Sequence, residues 1–368
     1  MIRALGMMSG TSLDGVDAAL IDTDGVRIAG FGRSGFRAYG DNESAVLHDA
    51  LGSWPDAPLV PEVARLIEAS HADLATDFPE AQLIGFHGQT LAHDPRGRGT
   101  HQAGDGFRLA AATGRPVVWD FRSEDVRRGG EGAPLVPFFH WACAEWAVGQ
   151  GALPPAPVAF LNLGGVGNIS WVDPSAPSPE APGACVAFDT GPANAPLNDL
   201  MRRRRRLARD EGGALAASGK ADAQVLADFL AHPWFDRPAP KSLDRDQFAD
   251  LLPSVDRLDD ADAAATLVAV AASSVTEGWR WLPAPPARVL VCGGGRHNAA
   301  LMAALSARLD VFVQPVEEIG LDGDMIEAQA FGWLAVRVMR GLPISGPMTT
   351  GVPHPVCGGR ISHPRKNG

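Results

Sequence analysis

The sequence predicts an α/β protein made of two related halves, each a mixed sheet flanked by helices, and three observations carry that prediction. First, strand, glycine turn, strand occurs twice. Apolar runs Ile2 to Met8 and Val16 to Ile21 bracket one turn, and Val158 to Leu163 and Ile169 to Val172 bracket Gly164-Gly165-Val166-Gly167-Asn168. Second, each hairpin is followed by helical patterning and further short apolar strands. Third, 368 residues are long for one compact core and suit about two domains. The Gly129-Gly130-Glu131-Gly132-Ala133-Pro134 run breaks regular structure, so the junction is expected near Val136. That divides the chain into 1–136 and 137–368, with a tail able to pack back on the first domain.

In chain order, Ser44 to Leu51 and Pro61 to Phe78 carry helical patterning, and Gln82 to Phe86 reads as a strand ending in His87-Gly88-Gln89-Thr90. Val117-Val118-Trp119 is a short strand delivering Asp120, Arg122 and Asp125 into a loop. Beyond the second hairpin, Pro174 to Gly183 is a surface loop by composition. Cys185 to Phe188 is a strand ending at Asp189, and Ala195 to Met201 opens a helix. Pro233 to Phe248 is proline-rich yet carries Lys241, Ser242, Arg245 and Asp246. Asp259, Asp260 and Asp262 precede the apolar run Ala263 to Val275, as expected at a helix N-terminus. Arg288 to Cys292 is a strand, Gly293-Gly294-Gly295 a break, and Asn298 to Leu309 a helix. Gly320 to Val338 begins as a Gly/Asp-rich loop and becomes a helix with Glu327 in its early turns.

Composition narrows the function. The content is 45% hydrophobic and 20% charged, that of a globular protein, and no stretch approaches the ~18 uninterrupted apolar residues of a membrane span. The first motif comes too early for a secretory signal, so a cytoplasmic location is expected. A net charge of -11 repels polyanions, which argues against nucleic-acid and anionic-membrane partners. The consecutive arginines Arg202 to Arg206 are expected to be a solvated helix end near the C-terminal dipole. Four cysteines, Cys143, Cys185, Cys292 and Cys357, lack CxxC spacing and read as reduced structural thiols.

Three glycine-containing turns suit phosphate or a flat ring. In Gly6 to Asp17, GMMSGTSLDGVD, Gly10 and Gly15 permit close backbone approach, leaving N–H groups and the Ser9, Thr11 and Ser12 hydroxyls to cradle an anion. Gly293 to Gly295 removes every side chain that would keep a ring or phosphate from the backbone. Neither GxGxxG nor GxxxxGK[ST] occurs, which separates the chain from dinucleotide dehydrogenases and P-loop kinases. Asp189 sits where a strand-end carboxylate faces a ligand crevice, though an N-cap aspartate has the same signature. His87 fits a structural histidine as well as a site residue.

Together these segments resemble the anhydro-N-acetylmuramic acid kinase family of the actin, sugar-kinase and Hsp70 superfamily. The resemblance rests on GMMSGTSLDGVD, FHGQT at Phe86 to Thr90, DFRSEDVRRGGEGAPLVP at Asp120 to Pro137 and LNLGGVGNIS at Leu161 to Ser170. FDTGPAN at Phe188 to Asn194, APKS at Ala239 to Ser242, VCGGGRHN at Val291 to Asn298, GDMIEAQAFGWLA at Gly323 to Ala335 and GLPISGPMTTGV at Gly341 to Val352 continue it. Two departures stand out: Ala193 occupies the second glycine position of the family's DTGPGN, and Leu243-Asp244 replaces Thr-Gly in KSTGR.

The resemblance implies two actin-like, ribonuclease H-like domains with a nucleotide cleft between them and a hinge near Val136. It implies ATP and Mg²⁺ as cofactors and a small-molecule sugar as partner, with a homodimer left open. The implied reaction opens the anhydro bridge with water while phosphorylating O6. Asp189 would be the base; Arg122, Glu327, His87 and Thr90 would hold the sugar. ATP would lie on Gly10, Thr11, Ser12, Leu13, Asp14, Gly15, Val16 and Asp17, on Gly164, Gly165 and Asn168, and on Gly293, Gly294 and Gly295. The resemblance assigns no direct Mg²⁺ ligand, although Asp14 and Asp17 could reach it through water. Competing readings are a simple hexose kinase and an ATP-driven binding or regulatory module.

Overall fold

The computed structural model describes residues 1–10, 12–243 and 247–364, which form two compact units. Thr11, one of the expected nucleotide-binding residues, and Asp244, Arg245 and Asp246 lie outside the described residues. The first unit comprises Met1–Trp146, Ser178–Pro182 and Met325–Gly368; the second comprises Ala147–Pro177 and Gly183–Asp324. The first unit thus runs past the expected junction near Val136, because the Pro137–Gly149 helix begins with residues buried in it. Met325–Gly368 returns to the first unit.

The first unit's strands are β1 (Ile2–Ser9), β2 (Gly15–Thr23), β3 (Ile28–Ala38), β4 (Leu83–Asp94), β5 (Gly99–Ala103), β6 (Val117–Trp119) and, near the C-terminus, β12 (Arg360–Ser362). The second unit's strands are β7 (Val158–Leu163), β8 (Val166–Val172), β9 (Cys185–Pro192), β10 (Arg288–Cys292) and β11 (Phe312–Pro315). Each sheet is built to one plan. In the second unit the order is β9-β8-β7-β10-β11, with the first three strands antiparallel and the last two parallel to β7. In the first it is β3-β2-β1-β4-β6, with β12 added at the edge and β5 paired with β4. Numbered within its own unit, the second sheet reads 3-2-1-4-5, and the first has the same order once β5 and β12 are set aside, the mixed order of an actin-like, ribonuclease H-like unit. The parallel neighbours require crossovers, and helices supply them, Val60–Ala75 before β4 and Asp260–Gly278 before β10.

Several expected boundaries move. β4 does not end at Phe86 but continues to Asp94, with Gly88 at φ 74°, so His87 to Thr90 lie within an irregular strand. β8 begins at Val166, which confines the turn to Gly164 and Gly165 and puts Asn168 in the strand. β9 carries on through Pro192, so Asp189 is a strand residue rather than an N-cap. Asp189 pairs in register with Asn168, and that pairing extends the ladder beyond the apolar residues.

The Asp260–Gly278 helix begins with Asp259 as N-cap, its side chain accepting from the Asp262 N–H, and buries Ala263 through Val275. It packs on β9 closely enough that a Cβ at Gly191 would lie 2.7 Å from Ser274 Cβ. The arginines close the Asn194–Arg205 helix as the expected solvated end, exposed except for the half-buried Arg204, and they also pair with a neighbouring segment. Arg203 pairs with Asp256, Arg204 bonds the carbonyls of Val255 and Leu258, each at 2.9 Å, and Arg205 pairs with Asp260 at 3.2 Å. The acidic residues of the neighbouring segment attract the guanidinium groups, which in turn satisfy carbonyls there. Cys143, Cys185 and Cys292 are buried, while Cys357 is exposed.

In the first unit the Ile326–Met339 helix lies directly on β1 and β4. A Cβ at Gly6 would fall 1.7 Å from the Ala328 carbonyl oxygen, and one at Gly85 2.1 Å from that of Phe331. Glycine at both positions lets helix backbone meet strand backbone. No helix among the described residues is long and apolar enough to cross a membrane.

Gly85→Ala is therefore expected to destabilise the protein by about 3 kcal/mol or more, since the obstructing atom is backbone and cannot rotate away. Gly10→Ala, whose Cβ would find its nearest neighbour at 3.5 Å, should leave the urea midpoint near that of the parent.

Candidate active site

Each unit presents one constellation. In the first, the β1–β2 turn is held from behind. Gln89 Nε2 donates to the Gly10 carbonyl (3.1 Å), Ser44 Oγ to that of Leu13 (3.0 Å) and the Tyr39 N–H to that of Asp14 (2.9 Å). These bonds turn acceptor lone pairs into the protein, withdrawing negative charge from the face an anion would approach. Ser9 Oγ bonds Gln89 Oε1 at 2.6 Å and Tyr39 Oη at 2.9 Å, joining the bracing residues to one another. Burial pushes the Tyr39 phenol up to about 12, so it remains a neutral donor. Leu13 takes φ 57°, and Ser12 Oγ donates to Asp14 Oδ1 at 2.7 Å.

Two residues before Gln89 on the same strand, His87 meets Arg122. The His87 Nδ1–H donates to the Gly88 carbonyl at 2.8 Å, leaving Nε2 as the acceptor for Arg122 Nε–H at 3.0 Å. Burial and the nearby guanidinium drive the His87 pKa well below its ordinary value, so the ring stays neutral. Both ring nitrogens are used, and any influence of His87 on a ligand runs through Arg122. Arg122 Nη1 donates to the Gly132 carbonyl at 2.8 Å. Burial lowers the Arg122 pKa to about 10, which still leaves it charged at neutral pH. Glu327, at the start of the Ile326–Met339 helix, acts on it electrostatically. The Glu327 side chain is exposed by area, yet desolvation by the surrounding protein raises its pKa against the opposing pull of Arg122. Thr90 is half-buried, and its hydroxyl accepts from Gln102 Nε2 at 3.2 Å.

Behind this group lies Asp125, fully buried. Its carboxylate accepts from the Gly132 N–H (2.7 Å), from the Thr350 hydroxyl (2.6 Å) and from Ser345 Oγ. The loop whose carbonyl holds Arg122 is thus tied to the C-terminal SGPMTTG segment through one buried acceptor.

In the second unit a polar row crosses the sheet. Asn162 on β7, Asn168 on β8 and Asp189 on β9 are register partners in turn, so their side chains share one face. Gly293, at φ 72°, adjoins this row: a Cβ there would lie 2.3 Å from Asn162 Oδ1. Arg296 holds the glycine break in place. Its Nη1 donates to the Gly293 carbonyl (3.0 Å), its Nε to Glu317 (2.8 Å), and its Nη2 pairs with Asp324 (2.8 Å). The Gly164 and Gly165 carbonyls accept from Asn194, Ala193 and Ala195 at 3.0–3.2 Å, seating that turn on the helix Asn194–Arg205. Ala193 itself sits at φ −122° in the core, so this position has no need of glycine's left-handed freedom. A cavity of about 160 Å³ opens beside Gly294, lined by Asn194, Asn198, Glu211, His297 and Asn298 among others. A larger cavity of about 750 Å³, bounded by Asp222, Phe229, His232 and Phe248, contains none of the expected residues.

Asp189 is the carboxyl of this row. Burial raises its pKa to about 6, opposed by one hydrogen bond, the Leu243 N–H donating to Oδ2 at 2.7 Å. The backbone N–H of Asp189 in turn donates to the Lys241 carbonyl at 2.9 Å. Leu243 makes this bond through its backbone, so the departure from threonine at this position leaves it intact. Gln89, Tyr39, Asn162, Asp125 and Arg296 were not among the expected site residues. Gln89 lies inside the FHGQT segment and Asn162 inside LNLGG, whereas nothing in the sequence ties Asp125 to Ser345 and Thr350.

One unit thus carries a braced glycine turn with an arginine group, and the other a carboxylate beside glycine-bearing turns, groups suited to holding an anion and to taking a proton. The chain belongs to the anhydro-N-acetylmuramic acid kinase family, whose sequence pattern matches residues 2–364. It is 63% identical over 363 residues to the anhydro-N-acetylmuramic acid kinase of Cereibacter sphaeroides, covering 99% of this chain and 96% of the relative. It is 58% identical to anhydro-N-acetylmuramic acid kinase 1 of Jannaschia sp., covering 99% and 96%. With the corresponding protein of Acidiphilium cryptum it shares 50% identity, covering 99% of both chains.

The raised Asp189 pKa fixes a sign for stability. The folded state holds this proton more tightly than the unfolded chain, whose carboxyl titrates near 3.8, so the stabilisation is complete below that value and lost as pH rises through about 6. Asp189→Asn is expected to be more stable than the parent by up to about 3 kcal/mol at about pH 7.5, and nearly equal to it at about pH 4. Urea unfolding at both pH values measures the difference.

Proposed function

We propose that the chain catalyses ATP-dependent opening of 1,6-anhydro-N-acetylmuramic acid, giving N-acetylmuramic acid 6-phosphate and ADP. Water attacks C1, the C1–O6 bond breaks, and O6 takes the γ-phosphoryl group. Glycoside hydrolysis ordinarily uses two carboxyl groups, one to activate water and one to protonate the departing oxygen. Here phosphorus captures that oxygen, so one base suffices. The observation that carries this reading is Asp189, a desolvated carboxylate with a pKa raised to about 6 in a row with Asn168 and Asn162. A base with a pKa just below the working pH is ionised yet still basic enough to take a proton from water.

In this reading Arg122 faces the lactyl carboxylate of the sugar, with charge and a planar fork suited to it. His87 fixes the guanidinium, and Glu327 and Thr90 supply hydrogen-bonding groups. The triphosphate lies on Gly10 to Asp17 and on the Gly164, Gly165 and Asn168 region, and the adenosine lies against Gly293, Gly294 and Gly295 with the cavity beside Gly294. Among the described residues no group of three or more His, Cys, Asp or Glu forms a metal cage. Mg²⁺ keeps much of its water and would be held largely by phosphate oxygens, with Asp14 and Asp17 reaching it through water. Mg²⁺ would neutralise charge on the transferring phosphoryl group. Dependence on ATP accords with a cytoplasmic location.

Mass spectrometry of the sugar after incubation with ATP and Mg²⁺ tests the reading. A gain of one water and one phosphoryl group is expected. Phosphoryl alone would indicate a simple sugar kinase, and an unchanged sugar an ATP-driven switch. Asp189→Asn should abolish turnover while ATP still binds, and the parent's kcat/KM should fall as pH drops through about 6. Arg122→Lys, which loses the fork that bonds His87 and Gly132, should raise KM for the sugar about 30-fold with little effect on KM for ATP.

A further inference from the structure

The segment Lys241–Leu243 touches Asp189 on one side and Trp234 on the other. On the Asp189 side are the two bonds already described, Asp189 N–H to the Lys241 carbonyl and Leu243 N–H to Asp189 Oδ2. On the other side, Lys241 Nζ lies 4.1 Å from the centre of the Trp234 ring and donates to the carbonyls of Phe235 (3.2 Å) and Trp234 (3.4 Å). Trp234 Nε1 donates to the Ser242 carbonyl at 3.4 Å. Trp234 and Phe235 are almost wholly buried, so they form a fixed wall. Lys241 thus directs its charge away from Asp189 and spends it on anchoring the backbone that Asp189 touches.

We infer that Lys241 is a positioning residue: its ammonium, held on Trp234 and the 234–235 carbonyls, keeps the Leu243 N–H aimed at the Asp189 carboxylate and so sets the pH range of the reaction. This rests on the reading of Asp189 as the base. The physical link is direct. A hydrogen bond to the charged form of a carboxylate lowers its pKa, and among the described residues the Leu243 N–H is the influence opposing the burial that raises the pKa of Asp189. Among the described residues no charged side chain acts on Asp189, whose register neighbour is the neutral Asn168. The charges around the clamp are those that act on Lys241, namely Arg280 and Arg237 against Asp236 and Glu277. Burial leads these influences in lowering the Lys241 pKa to about 8, so it is largely protonated at neutral pH and below.

The test is the pH dependence of kcat/KM for the full chain with ATP, Mg²⁺ and the anhydro sugar. Lys241→Met keeps the length of the side chain and its contact with the rings but loses the cation and its two carbonyl bonds. Its acid limb should move up by about one pH unit, a loss of about fivefold near pH 6 and about twofold near pH 7. Lys241→Arg retains the cation over the ring and should hold the limb near its parental position. Trp234→Phe, which removes the bond to Ser242, should move it in the same direction as Lys241→Met by a smaller amount. An unmoved limb in Lys241→Met, including a uniform loss of activity at every pH, overturns the inference. If Lys241→Met does not fold, an unmoved limb in Trp234→Phe overturns it. Asp189→Asn in parallel separates the two claims: an active Asp189→Asn removes the base assignment itself, whereas an inactive one beside an unmoved limb removes only the role of Lys241.

Discussion

The contact of backbone with backbone between the Ile326–Met339 helix and strands β1 and β4 is the constraint on which the first unit depends. With glycine at 6 and 85, the helix approaches until only main-chain atoms separate it from the sheet. Gly332 reciprocates from the helix, where a Cβ would meet the Gly6 nitrogen at 3.0 Å. Interiors packed this densely have two consequences. The helix cannot slide, so Glu327 at its start has a fixed relation to Arg122. Phe331, one turn further along, lies with its ring 4.5 Å from that of His87 and so bounds the histidine that holds Arg122. A purely steric arrangement in the core thereby sets the orientation of charged groups at the surface.

The two constellations use desolvation in opposite ways. In the first unit it keeps a histidine neutral, so that an arginine has an acceptor to rest on rather than a second cation to repel it. In the second it raises a carboxyl towards the working pH, where among the described residues the Leu243 N–H restrains it. Burial without full pairing costs stability, and the fully buried Asp125 and the half-buried Asp189 show the alternatives. Asp125 is satisfied by an amide and two hydroxyls and serves as a structural tie. Asp189 accepts one identified bond and keeps basicity in reserve.

The sequence made the duplicated plan visible because glycine turns between apolar runs leave a local signature, and Ile2 to Met8 and Val158 to Leu163 both fall within observed strands. The helix over Ala263 to Val275 was legible for the same reason, with its acidic first turn and long apolar run. β3 was missed because Ile28–Ala38 alternates serine, glycine and arginine with few large apolar residues, and its pairing with β2 is tertiary information. The ends of β4 and β9 were placed too early because His87-Gly88 and Asp189-Thr190-Gly191 read locally as loop, whereas ladder partners on β5 and β8 extend them. Arg122, Glu327 and Asp189 could be named from sequence. The tautomer of His87, the tie from Asp125 to Ser345 and Thr350, and the clamp on Lys241 depend on contacts between residues far apart in the chain or on side-chain directions, which no local pattern encodes.

The first unit is discontinuous, and this has a consequence for the newborn chain. Synthesis runs from the N-terminus, yet the helix that covers β1 and β4, the hydroxyls that satisfy Asp125, and the edge strand β12 all come from the final stretch, Met325–Gly368. The second unit, although it begins later, has its sheet complete once Pro315 has emerged. The half that starts first is therefore finished last, and until that stretch emerges Gly6 and Gly85 lack the helix that covers them.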